Sequence, residues 1–110
     1  MPIWRPQPVS EEPEIELLRW RVWETDDQQR YFVGARPGNL GGRVSSAIVE
    51  LDVSLRRGVT QTGRVYVLVG APGFDSGATY TWQAWLNINE VEPASVRDVT
   101  FEIFVRSDFN

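Results

Sequence analysis

The sequence contains no cysteine, no histidine and no lysine; its 11 basic residues are all arginine. Each absence removes a kind of chemistry. Without Cys there is no disulfide, no thiolate nucleophile and no thiolate metal site. Without His the usual general base and proton shuttle is missing, and a zinc, copper or non-haem iron site would have to be built from carboxylates alone. Without Lys there is no Schiff base and no phosphate-loop ammonium. Catalysis would fall to Asp, Glu, Ser, Thr, Tyr or Arg, so the expectation is a protein that is not an enzyme and carries no cofactor and no metal.

Long apolar runs are also lacking. No stretch approaches the roughly 18 residues of a membrane span, and the N-terminus shows no basic start followed by an apolar block. A cytoplasmic, soluble protein without membrane partners is expected. The net charge of -4 disfavours a protein that coats nucleic acid, which needs an excess of positive field. An all-arginine cation set with abundant Gly, Ala, Val and Pro fits a GC-rich bacterial or phage genome.

What is present suffices for one core. The 110 residues are 42% hydrophobic and 12% aromatic, the size and composition of a single domain that buries roughly two thirds of its unfolded surface. Residues 1–14 hold Pro2, Pro6, Pro8 and Pro13 among acids, which can sustain neither a ladder nor a helix. They read as an extended or disordered arm, with Trp4 lying on the nearest apolar surface or anchoring a partner. Residues 15–110 then form the globular domain.

Two β-branched runs between Gly41 and Gly70 organise that domain. In Arg43–Val53 the alternation sets Ala47, Val49, Leu51 and Val53 on a core face, and in Arg64–Val69 it sets Val65, Val67 and Val69 inward against Arg64, Tyr66 and Leu68. Ile15–Trp23 alternates as a strand with a wet side and Arg30–Ala35 returns from it as a hairpin. Pro37-Gly38, Leu55–Gly58 and Thr62-Gly63 read as turns, with Gly58 taking a left-handed conformation. Residues 78–89 fit either a strand or a helix. The helix aligns Ala78, Trp82, Trp85 and Leu86 behind an N-cap at Asp75 or Ser76, and it supplies a cover for one sheet face. Val99–Arg106 alternates as a last strand, and the final SDFN should fray. The expected fold is mainly β (α+β): a single antiparallel sheet or partly closed barrel of five to six strands with one short helix packed on it.

Four groups of residues bear on function. Glu50 and Asp52 share one strand face roughly 7 Å apart, a spacing that suits acid and base roles but more often marks a solvated edge. Glycines 70, 73 and 77 lack the lysine and the spacing of a phosphate loop. Tyr80, Trp82 and Trp85 would make a stacking surface, though large aromatics more often fill cores. Arg19, Arg21 and Trp23 on the first strand join Arg64 and Tyr66 on another into a platform of the residue types that dominate binding hot spots, provided that both strands show those side chains on one side of the sheet.

Size, acidity and that platform point to a non-catalytic protein-binding module: an inhibitor, immunity factor or accessory subunit that occupies a partner's surface. The alternative is a nucleic-acid binder or mimic using the same platform. A carboxylate-dependent enzyme built on Glu50 and Asp52 is the weakest reading. Unpaired strand edges leave a homodimer open.

Overall fold

Strand β1 (Glu14–Glu24) is the longest in a computed structural model that describes residues 12–38 and 40–109. Its apolar side chains change phase halfway along. Ile15 and Leu17 are buried, and then Trp20 and Val22, so the inward face moves from odd to even positions. The change occurs at Arg19, whose φ of 46° is left-handed, within a bulge that shifts the register between Leu18 and Arg21. An extra residue of this kind bends a strand and sharpens its twist. The bend lets β1 serve two neighbourhoods: its first half pairs in parallel with β6 (Val65–Leu68), its second half antiparallel with β2 (Arg30–Ala35) and with the two-residue β7 (Arg97–Asp98).

The remaining strands are β3 (Gly42–Val44), β4 (Ile48–Asp52) and β5 (Arg57–Thr60). Together they make a 7-stranded sheet in the order β3-β2-β1-β6-β5-β4, with β7 beside β1. The class is the expected one, mainly β with a helix added. The sheet is mixed rather than antiparallel throughout, because β1 and β6 meet across four intervening strands and no hairpin sets their relative direction.

The run Arg43–Val53, expected as one central strand, is two strands, and they lie at opposite ends of the strand order. Ser45 divides them. Its hydroxyl accepts the Phe32 N–H and its own N–H donates to the Phe32 carbonyl, both at 2.9 Å, so a side chain ends the β2–β3 ladder. Since only residues 45–47 link the two edges, the sheet rolls up without closing.

Inside the roll sit Ile15, Leu17, Trp20, Val22, Phe32, Tyr66 and Leu68, with Val99 and Phe104 from the C-terminal segment. One expected face is therefore reversed, and a second holds only in part, since Ala47 and Leu51 lie inward as expected. In β6 Tyr66 and Leu68 point inward while Val65 and Val67 are half-exposed, because register pairs Tyr66 with Ile15 and Leu68 with Leu17. In β4 a register shift between Ile48 and Glu50 turns Ile48 and Leu51 toward the core and leaves Val49 and Val53 exposed. Gly58 belongs to β5 instead of the turn, and Arg56 takes the left-handed conformation with φ 53°. A Cβ on Gly58 would lie 2.5 Å from Cζ of Phe32, so the position is kept bare for that ring.

Helix α1 (Ser76–Ile88) packs on the outside of β1–β2–β3, where Ala78, Trp82 and Leu86 cover Val33 and Val44. The helical reading of 78–89 holds, and Asp75 is the N-cap. The strand expected over Val99–Arg106 does not form. The Asp98 carboxylate accepts the Thr100 N–H at 3.0 Å and its hydroxyl at 2.6 Å, a local capture that starts the single helical turn α2 (Thr100–Ile103) in place of extended backbone. Arg106–Phe109 then forms a 3-10 turn that sets Phe109 against Trp20, ring centroids 5.7 Å apart, where fraying was expected.

Trp4 and the rest of residues 1–11 lie outside the described residues. Glu14 is already in β1, and the Pro13 carbonyl accepts the Val65 N–H at 2.9 Å, so the chain is tied to the sheet from Pro13 onward. Among the described residues no helix is long and apolar enough to cross a membrane.

Candidate functional site

The five residues expected to share a platform are divided by the sheet. Tyr66 is 1% exposed, inside the roll, with Phe32 at 5.6 Å and its hydroxyl accepting from Arg43 Nε at 3.1 Å. Arg64 is buried as well, donating from Nε to the Glu12 carbonyl at 2.9 Å. Arg21 and Trp23 stand on the other face, because the bulge at Arg19 puts Trp20 and Val22 inward. Trp23 is half-buried there, stacked on Trp82 at 5.7 Å, with Trp85 and Tyr31 continuing the aromatic row. Alternation had assigned Arg64 and Tyr66 outward, and pairing with β1 overrules it.

Arg19, Arg21 and Trp23 do come together. With Phe74, Asp75 and Asp98 they line a cavity of about 150 Å³ below the first turn of α1. Each guanidinium has a carboxylate: Arg19 Nη2 is 3.1 Å from Asp75 and Arg21 Nε 2.7 Å from Asp98. The charges of this corner are thus largely matched within the chain, and they tie the loop before α1 and the segment before α2 to the bulge of β1.

Asp75 joins cap and ion pair. Its carboxylate accepts the Ala78 N–H at 2.9 Å, and this bond, with the Arg19 guanidinium beside it, holds its pKa below the usual carboxylate range. Asp75→Ala should cost about 1 kcal/mol at neutral pH, the usual worth of an N-cap. With the folded-state pKa below the unfolded value of about 3.9, that stabilisation is complete above about pH 5 and is lost progressively as pH falls through the unfolded and then the folded value. Urea midpoints should therefore separate wild type from Asp75→Ala at pH 7 and converge toward pH 2; a gap unchanged at pH 2 would refute the assignment.

A second surface went unrecognised in the sequence. The outer face of β1–β6–β5–β4 has no helix over it among the described residues. Register places two rows of neighbours across it, Glu14–Val65–Val59–Glu50 and Glu16–Val67–Arg57–Asp52. Each row has a carboxylate at both ends; the middle is Val65 and Val59 in the first and Val67 and Arg57 in the second. A groove of about 630 Å³ follows the β4 side, lined by Glu50, Asp52, Val53, Leu55, Val59 and Val65. Arg57 is paired with Glu14 at 2.9 Å, and Asp52 accepts the Leu55 N–H at 2.9 Å. The side chains of Glu16 and Glu50 have no hydrogen bond or ion pair among the described residues. The signal for this face was available in β6, whose VYVL is apolar on both sides, and in the acids alternating at 14 and 16.

Among the described residues no three His, Cys, Asp or Glu side chains gather as a metal site. The chain matches no family model and shows no significant match to a curated protein or to a solved structure.

Proposed function

We propose that this protein is a non-catalytic binding module that acts by occupying the surface of a partner protein, as an inhibitor, immunity factor or accessory subunit does. One observation carries the reading: Val53 and Leu55, exposed at 43 and 67%, line one groove with the outward Val59 and Val65 on a sheet face with no cover among the described residues. Clustered apolar side chains rimmed by charge are the usual mark of an interaction surface. A direct nucleic-acid binder loses support, since two of its five platform residues are buried and the two accessible arginines face carboxylates.

A photo-crosslinking amino acid at position 55 should trap a protein partner in lysate of the source cell, and one at the exposed Gln83 of α1 should not. The double variant Val53→Asp/Leu55→Asp should abolish capture with its melting temperature within about 3 °C of wild type, because exposed positions carry little stability. Equal adducts from 55 and 83, or capture that survives the double variant, would overturn the reading.

A further inference from the structure

We infer that the partner of this face is an extended, basic segment that adds as a strand to the free edge of β4. The inference rests on the protein-binding reading above and specifies its ligand. β4 ends the strand order, so one side of its backbone offers a row of ladder groups that no strand among the described residues meets. That side opens into a cleft of about 280 Å³ between Ile48–Leu51 and the β1–β2 turn at Gln28, Gln29 and Arg30. The cleft is the seam at which the rolled sheet fails to close, and an extended chain is the element that fits beside an unpaired strand.

Charge selects among occupants. On the outer face Glu50 and Asp52 stand at this edge, and the neighbouring guanidinium, Arg57 on β5, is paired with Glu14 at 2.9 Å. Arg30 at the far wall of the cleft is matched by Glu24 at 2.9 Å. A strand added to β4 would bring alternate side chains within cross-strand distance of Glu50 and Asp52 and turn the others toward the half-buried Ile48 and Leu51. Lys or Arg at the first set and aliphatic residues at the second satisfy both faces. A second copy of this chain fits poorly, since two β4 strands laid antiparallel would set acids against acids.

The test uses the full-length protein and an acetylated, amidated (Lys-Val)4 peptide, followed through backbone amide resonances. Saturable shifts centred on residues 48–52 are expected, weakening with added salt. (Glu-Val)4 should not bind, nor should a (Lys-Val)4 peptide N-methylated at alternate residues to remove one edge of its ladder. Glu50→Gln/Asp52→Asn keeps the shape and the turn acceptor at position 52, and should weaken binding by roughly two- to thirtyfold, the worth of two cross-strand charge pairs. Equal affinity of the double variant, indifference to peptide charge, shifts away from β4, or contacts from the first eleven residues to 48–52 in the free protein would overturn the inference. So would a double variant that dimerises in sedimentation while neither form binds peptide, because the acids would then serve only to keep edges apart. Crosslinking from position 55 without peptide binding at β4 removes this inference and leaves the binding-module reading standing; loss of both removes both.

Discussion

Trp20→Ala is expected to lower the stability of the fold by about 3–5 kcal/mol, the usual cost of emptying a buried large aromatic site. Trp20 is 0% exposed. Its indole meets Phe104 edge-on at 4.8 Å and Phe109 at 5.7 Å, and its Nε1–H donates to the Gly70 carbonyl at 3.2 Å. One side chain thereby joins β1, the loop after β6 and the C-terminal turns that plug the roll. Domains of this size are stable by about 5–15 kcal/mol, so the variant would sit close to unfolding at 37 °C, with a melting temperature lower by more than about 10 °C. Trp20→Phe should retain most of the packing while losing the bond to Gly70 and part of the ring volume, costing about 1–3 kcal/mol. Urea titrations of the three proteins check both statements. A loss below about 1 kcal/mol for Trp20→Ala, far under the range for such a site, would mean that residues 99–109 do not seal the core.

Gly42→Ala is the second. A Cβ at this position would lie 2.6 Å from the Gly77 carbonyl oxygen, 2.7 Å from the Ala78 Cα and 2.7 Å from Thr81 Oγ1. Two of those atoms are helix backbone, so no rotamer change relieves the contact and α1 must lift from β3. Overpacking of this kind costs about 1–3 kcal/mol, and the upper end is expected because Ala78, Trp82 and Leu86 lose contact together. The indoles of Trp82 and Trp85 stack at 5.1 Å and those of Trp23 and Trp82 at 5.7 Å, so near-ultraviolet circular dichroism should weaken along with the urea midpoint. Gly73→Ala is the control: its Cβ would meet Arg19 Cγ at an ordinary 3.4 Å, and reduced freedom of the unfolded chain should leave stability unchanged or raised by up to about 1 kcal/mol. Equal effects at 42 and 73 would contradict the tight seating of α1.

Both variants probe places that local patterning reached unevenly. Helix α1 was legible because its signals agree: apolar spacing at Ala78, Trp82 and Leu86, and an aspartate in position to cap. The turns at Gly38 and Gly63 were legible for the same reason, with φ of 71° and 86° that favour glycine. In β1 the clue was present but misread. A core run on odd positions followed by one on even positions requires an inserted residue, whereas a single alternation through Arg19 kept the strand straight. The same slip in β4 hid the exposed Val49 and Val53, and with them the face on which the proposed function rests.

The division follows from the range of the forces involved. Backbone preferences and side-chain periodicity act over a few residues, and they suffice for the β-rich class, the strands flanking each turn and the capped helix. The face of β6, the parallel meeting of β1 with β6 and the separation of Arg19 and Arg21 from Arg64 and Tyr66 depend on partners 51 residues apart in the chain, as in Glu14 with Val65, and the face of β4 depends on its register with β5. A one-residue shift of pairing reverses a whole face at little local cost. Shape complementarity inside the roll, with Gly58 left bare for Phe32 and Ile15 set beside Tyr66, selects between the two registers, and that complementarity exists only once the sheet has assembled.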